Sequence, residues 1–171
     1  MTAGLTAVTH DGRGNTVAIG SSGYTYTADN RLATGGGSNF YHDMLGRIPH
    51  SSGAGLNFLY DIGGGQMIGE QGNSGVTAVH VPGPGADEQL MTWEPGSNTL
   101  TQLHADERGS IIATSDGSGN VTAINRYDDY GAPQGPGGTG TQARRFGYTG
   151  QAWMPELGIP PVWLRFRVGA V

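Results

Sequence analysis

The sequence predicts an all-β protein, a succession of antiparallel β-hairpins laid side by side into a curved sheet. Three observations predict it. Four short units repeat at near-constant spacing, their first ring residues being His10, Tyr26, His42 and Tyr60, at intervals of 16, 16 and 18 residues; self-similarity on this scale marks a repeat architecture. Glycine supplies 32 of the 171 residues while Leu, Ile, Val and Phe together number 31, a balance that suits a turn-rich β-protein better than a thick apolar core. No window of useful length carries the 3.6-residue apolar period free of glycine or proline, so no helix is expected.

The repeats open the chain. They read His10-Asp11-Gly12-Arg13-Gly14-Asn15, Tyr26-Thr27-Ala28-Asp29-Asn30-Arg31, His42-Asp43-Met44-Leu45-Gly46-Arg47 and Tyr60-Asp61-Ile62-Gly63-Gly64. Each has a ring residue, usually Asp, two free positions, Gly or Asn, usually Arg or Asn, and then a residue that resumes a strand. The physical sense is a hairpin corner. The ring packs on one face at the strand end, and the short carboxylate accepts backbone N–H bonds in the turn. Gly14, Asn30 and Gly46 take the left-handed conformation at small cost. One hairpin cannot bury its own face, so neighbours must stack and stability becomes a nearest-neighbour matter.

Further along, residues 49–55 read as a loop by composition. Residues 57–61 and 66–70 read as paired strands around three glycines that leave the register loose. Residues 76–81 make a strand that ends at Pro82-Gly83-Pro84-Gly85, where proline removes ladder donors. Residues 89–93 and 99–104 form another hairpin, and 103–121 read strand, turn, strand, turn, strand. Then come two stretches in which aromatic residues run straight into a turn glycine: Arg126-Tyr127-Asp128-Asp129-Tyr130-Gly131 and Phe146-Gly147-Tyr148-Thr149-Gly150-Gln151.

Taken together, residues 103–134 followed by 145–153 resemble the core region of bacterial RHS (rearrangement hotspot) proteins, and the repeat pattern resembles the YD repeats that precede it. The resemblance covers residues 10–158, with Thr27 standing where the family favours Asp and His10 and His42 replacing Tyr. It implies degenerate YD repeats over residues 1–81, a repeat-associated core segment over 82–158 and a divergent tail over 159–171. It also implies a long β-ribbon wound into a hollow shell, or cocoon, that encloses a toxin made at the C-terminus of the same polypeptide. The implied partners are the remaining repeats and the toxin domain of that parent, with secretion or cell-surface display as its setting. On this reading the structural residues are His10, Asp11, Gly14, Tyr26, Asn30, Arg31, His42, Asp43, Gly46, Arg47, Tyr60 and Asp61 in the repeats, then His104, Asp106, Gly109, Tyr127, Asp128, Tyr130, Gly131, Phe146, Tyr148 and Gly150. After Gly158 the family continues into a tyrosine-rich strand and Asp-Pro motifs that carry a self-cleavage. This chain reads Ile159-Pro160-Pro161-Val162-Trp163-Leu164-Arg165-Phe166 instead. A frameshift or gene-end rearrangement is the expected cause, and the self-cleavage is not carried over.

Charge and composition narrow the chemistry. A formal charge of −5 with 9 Lys and Arg gives no basic face for nucleic acid. The absence of cysteine excludes disulfides and thiolate chemistry. Met1-Thr2-Ala3-Gly4-Leu5 carries neither the basic nor the apolar region of a signal peptide, and no apolar run approaches a membrane span.

Candidate reactive groups read as structural. Asp128 and Asp129 are adjacent, so on a strand they face opposite sides and cannot share a proton; turn capping beside Gly131 fits them better. His104 and Asp106 could share a strand face and a metal, but two ligands are half a site. His10, His42, His50 and His80 are scattered. Gly35-Gly36-Gly37 and Gly63-Gly64-Gly65 lack the Lys and Ser/Thr of a phosphate loop. No catalytic residue, cofactor or metal is expected. A non-enzymatic shell piece is the first reading, with a module whose Tyr and Trp residues contact cell-surface glycans as the second. A self-processing protease is the third.

Overall fold

A computed structural model of the chain describes residues 7–63, 65–129, 131–134, 145–154 and 163–164. The described residues are β throughout, apart from one 3₁₀ turn at Tyr148–Gly150. Among them no helix is long and apolar enough to cross a membrane.

Strands β1 (Val8–His10), β2 (Thr16–Ile19) and β3 (Ser22–Gly23) form a three-stranded sheet. The chain passes through Tyr24 into β4 (Thr25–Tyr26), which opens a second sheet of 11 strands. That sheet continues through β5 (Leu32–Gly35), β6 (Ser38–Tyr41), β7 (His50–Ser51), β8 (Leu56–Tyr60), β9 (Met67–Gly72), β10 (Gly75–Pro82), β11 (Gln89–Glu94), β12 (Thr99–Ala105), β13 (Ile111–Asp116) and β14 (Val121–Ile124). Its spatial order is its sequence order, and every neighbouring pair is antiparallel. Because strand direction alternates, turns alternate between two margins. One margin carries the corners that begin at Thr27, Asp43, Asp61, Gly83, Asp106 and Asp128, and the Asp11 corner of the small sheet lies beside the Thr27 corner, Asn15 bonding Asn30; the opposite margin carries turns such as Gly36-Gly37 and Asn73-Ser74.

One expectation is corrected. Residues 49–55 are not a loop throughout, since His50 and Ser51 form β7, with Phe40 opposite Ser51 on one side and Leu56 on the other. Composition hid a strand of only two residues. It is specified by its neighbours: His50 bonds Asn57 Oδ1 at 2.8 Å through Nδ1, its ring stands 5.5 Å from that of Tyr41, and Ser51 is fully buried.

The pleat sorts side chains by face. Phe58 lies opposite Glu70, His80 opposite Thr92 and Thr92 opposite Thr101, all on the buried face. The other face carries the row Leu59, Gly69, Val79, Trp93 and Leu100, each opposite the next. Residues 145–154 fold back over the buried face as a strap. Phe146 bridges Ala152, and β15 (Ala152–Trp153) pairs with β16 (Trp163–Leu164). The Gly147 carbonyl accepts the Ile111 amide at 2.9 Å. The strap brings Phe146, Ala152 and Met154 into one cluster with Phe40, Ile48, Phe58, Met67, Leu103 and Ile111. Fully burying each larger side chain there contributes roughly 1.5–3 kcal/mol.

Candidate functional site

The corners share one construction. Asp11 Oδ1 accepts the amides of Arg13 and Asn15, both at 2.9 Å, while the Asp11 carbonyl accepts the Gly14 amide at 3.0 Å. Asp43, Asp106 and Asp116 repeat this pattern with Leu45 and Arg47, Arg108 and Ser110, and Ser118 and Asn120. Asp128 Oδ1 takes the Ala132 amide at 2.8 Å, and in the longer Asp61 turn Oδ1 takes the Gln66 amide at 2.8 Å. Thr27 does the same through Oγ1, which accepts the Arg31 amide at 3.0 Å. In the six four-residue corners the fourth residue is left-handed: Gly14, Asn30, Gly46, Gly109, Gly119 and Gly131 have φ between 68° and 86°. This is a type I turn closed by a left-handed bulge, and it needs an acceptor at its first position and little side chain at its fourth.

These bonds set the charge state of the corners. The Asn15 side chain holds the Asp11 carboxyl below its usual range, and Asn120 does so for Asp116. At Asp43, burial pushes upward, but the bond from Arg47 Nε at 2.6 Å and the turn amides prevail and lower it.

Successive corners are tied together in both directions. Tyr26 Oη donates to the Thr16 carbonyl at 2.9 Å, Tyr60 Oη to Ile48 at 3.0 Å and Tyr127 Oη to Ile111 at 2.9 Å; His42 Nε2 lies 2.7 Å from the Leu32 carbonyl. Each ring thus reaches the residue two beyond the left-handed position of the preceding corner. Going forward, Arg31 Nη1 donates to the Asp43 carbonyl at 3.1 Å, Arg47 Nη1 to Asp61 at 3.4 Å and Gln66 Nε2 to Gly85 at 2.9 Å. Burial drives the Tyr60 hydroxyl well above the ordinary tyrosine value of 10.0. The Tyr60→Phe variant is therefore expected to lose about 1 kcal/mol near neutral pH, read from urea unfolding. The neutral hydroxyl is favoured in the fold, so its stabilisation is present below pH 10.0 and lost as pH rises beyond it. In Tyr60→Phe the alkaline loss of stability should be shallower.

The remaining sequence-selected residues fall as follows. His10 ends β1, exposed. His104 Nε2 lies 2.8 Å from Ser115 Oγ, and Asp106 caps its own turn. Tyr148 stands 5.6 Å from Tyr127, ring to ring. Gly150, with φ 72°, ends the 3₁₀ turn, and Tyr130 lies outside the described residues.

Sequence reasoning missed a second site, the polar centre of the buried face. Glu70 accepts Arg145 Nε at 2.8 Å on Oε1 and Arg145 Nη2 at 2.7 Å on Oε2. His80 Nε2 lies 3.1 Å from Glu70 Oε1, and its Nδ1 lies 3.1 Å from Thr92 Oγ1. Phe146 meets the His80 ring edge-on at 4.8 Å, and the Arg145 guanidinium lies 5.1 Å from the centre of the Phe58 ring. Burial alone would raise the Glu70 carboxyl; the bonds from His80 and Arg145 reverse that and hold it down to about 2. Arg145 also donates Nη1 to the Trp153 carbonyl at 2.8 Å. The cluster is closed and self-satisfied, the arrangement of a clasp holding strap to sheet. Its only sequence signal was a His at an inward position of an alternating strand, because its partners lie far apart in the chain.

No family model and no curated protein matches this chain. Among solved structures, the crystal structure of TcdB2-TccC3-TEV aligns with 88% of this chain and 11% of that chain, at 14% identity and a TM-score of 0.41. The crystal structure of TcdB2-TccC3 without hypervariable C-terminal region aligns with 86% and 10%, at 12% identity and a TM-score of 0.45. The chain spans about a tenth of the length of these solved chains.

Proposed function

We propose that this chain is wall material, a segment of an RHS-type β-ribbon shell that encloses a toxin domain of its parent polypeptide and catalyses nothing itself. The observation that carries this reading is the two-way ladder of corners. At four of the corners a ring reaches back to the preceding corner and at three a long side chain reaches forward, a device that can be repeated and that suits a continuous wall. The carboxylates of the corners support a non-enzymatic role, since they are engaged in capping amides. Export or surface display follows from the same reading as a property of the parent.

A wall segment on its own exposes sheet edges, and among the described residues β1 is paired on one side only, with β2. Unpaired edges recruit other chains. Sedimentation velocity of the purified chain should therefore show self-association that grows with concentration, with the intact mass unchanged after prolonged incubation. A compact monomer at every concentration contradicts the wall reading, and a specific fragment contradicts the absence of catalysis.

A further inference from the structure

The four junctions at which a ring reaches back share one strand register. At each, the strand leaving one corner pairs antiparallel with the strand entering the next, and the partners include Ala18 with Gly23, Thr34 with Asn39, His50 with Asn57 and Ala113 with Ile124. In every pair the first residue lies four beyond the left-handed position of its corner, and the second lies three before the ring of the next. The ring then meets the carbonyl two beyond the left-handed position, at Thr16, Leu32, Ile48 and Ile111 in turn. A single docking geometry is thus used four times over.

Two halves of that junction stand open. The strand leaving the Asp128 corner, residues 132–134, is tied to its own corner by the Tyr127–Pro133 bridge and by the Gln134 amide donating to the Arg126 carbonyl; among the described residues nothing pairs with its other side, and no ring reaches the Pro133 carbonyl, two beyond Gly131. The chain's own next corner does not serve. Gly147 and Gly150 repeat the backbone bonds of a corner, the Gly147 amide donating to the Gln151 carbonyl and the Gly150 amide to the Gly147 carbonyl, but its ring is Phe146, without a donor, and lies edge-on against His80 on the buried face. The complementary half is the strand entering the Asp11 corner. Val8, Thr9 and His10 are exposed, β1 is paired only with β2, and the His10 ring makes no hydrogen bond among the described residues.

We infer that the edge at residues 132–134 is a docking site for a second copy of this chain, which enters with its β1 strand and its Asp11 corner. Strand β1 runs toward its corner and residues 132–134 run away from theirs, so the two meet antiparallel on the same margin, as at each internal junction. The shared register then sets Thr9 of the second copy opposite Pro133 and Val8 opposite Gln134. His10 donates to the Pro133 carbonyl, as His42 Nε2 meets Leu32 at 2.7 Å within the chain. Proline at 133 lacks an amide hydrogen, but the ladder uses the carbonyl there, and proline keeps it. The interface joins two different surfaces, so each added copy leaves the same two surfaces open and association does not stop at two. The inference rests on the wall reading and adds to it the partner and the register.

The test uses full chains, which contain no cysteine of their own. One preparation carries Val8→Cys and another Gln134→Cys, both at exposed positions. Directly opposed strand residues lie within the Cα separation that a disulfide spans, so mild oxidation of the mixture should give a covalent dimer of unlike chains, about tenfold more than either variant gives alone. Ala132→Cys in place of Gln134→Cys lies two residues out of register and should give far less. By sedimentation velocity His10→Ala should associate about fivefold more weakly than the unmodified chain, equivalent to about 1 kcal/mol, while His10→Tyr, which keeps a ring donor, should associate at least as tightly as the unmodified chain. Disulfides confined to pairs of Val8→Cys chains would show edges meeting symmetrically, which overturns the inference and leaves the wall reading standing. Association of His10→Ala equal to that of the unmodified chain, or equal yields from Ala132→Cys and Gln134→Cys, would also overturn it. A chain that stays monomeric at every concentration would overturn both.

Discussion

Replacing Arg145 by methionine is expected to destabilise the chain by about 3–5 kcal/mol, the usual consequence of leaving a buried charge without its partner. Arg145 and Glu70 have side chains only 10% exposed, so solvent cannot take over the lost bonds. A bidentate contact and the donation to Trp153 disappear together, and the strap loses its tie to β9. Urea unfolding at neutral pH measures the loss. Adding Glu70→Gln to Arg145→Met should recover much of it, because the largest cost is a buried carboxylate left with His80 alone and not the missing attraction; a double variant as unstable as the sum of its parts would show that the two residues are uncoupled. Acid titrates the same clasp. The Glu70 carboxyl is held at about 2 in the fold, below its ordinary value of 4.5. A depressed folded value means stabilisation that is present above 4.5 and is lost as pH falls from there toward 2. The unmodified chain should lose stability over that window, and the double variant should lose less.

The second large effect is at Gly150. Its φ is 72°, in the left-handed region, and a Cβ there would overlap the backbone carbonyl oxygen of Asp87. A left-handed non-glycine residue costs roughly 1–2 kcal/mol by itself. The overlap adds to that because the opposing atom is main chain and cannot rotate away. Gly150→Ala is therefore expected to cost more than about 2 kcal/mol. Gly119→Ala is the matched comparison, with φ 86° and nothing within 4 Å of the added carbon. It should show the backbone cost alone. Thermal unfolding of the two variants side by side separates conformational strain from steric conflict; equal losses would mean that the strap moves off the Asp87 loop without resistance.

The sheet was legible in the sequence where its information is local. Tyr-Asp corners, turn glycines and alternating runs such as residues 76–81 are written within a few positions, and one antiparallel strand after another follows from them. The two residues of β7 were not legible, because their strand character comes from Phe40 and Leu56 on either side and their own composition is that of a loop. The Asp116 corner was visible as a turn, yet it sits on the opposite margin and falls outside the spacing of the first four units. The clasp was the least legible. Glu70 and Arg145 lie 75 residues apart, no periodicity connects them, and a Glu or His in a half-buried strand ordinarily points to water. Only the strap, by covering that face, turns them into a buried ion pair.

The two margins of the sheet impose different rules on how the chain can grow. On the laddered margin an inserted residue breaks a ring's reach backward at four corners and a side chain's reach forward at three, so corner length is constrained where those ties exist. Turns such as Asn73-Ser74 lie on the other margin, outside that ladder. Tags, loops and whole inserted modules belong there.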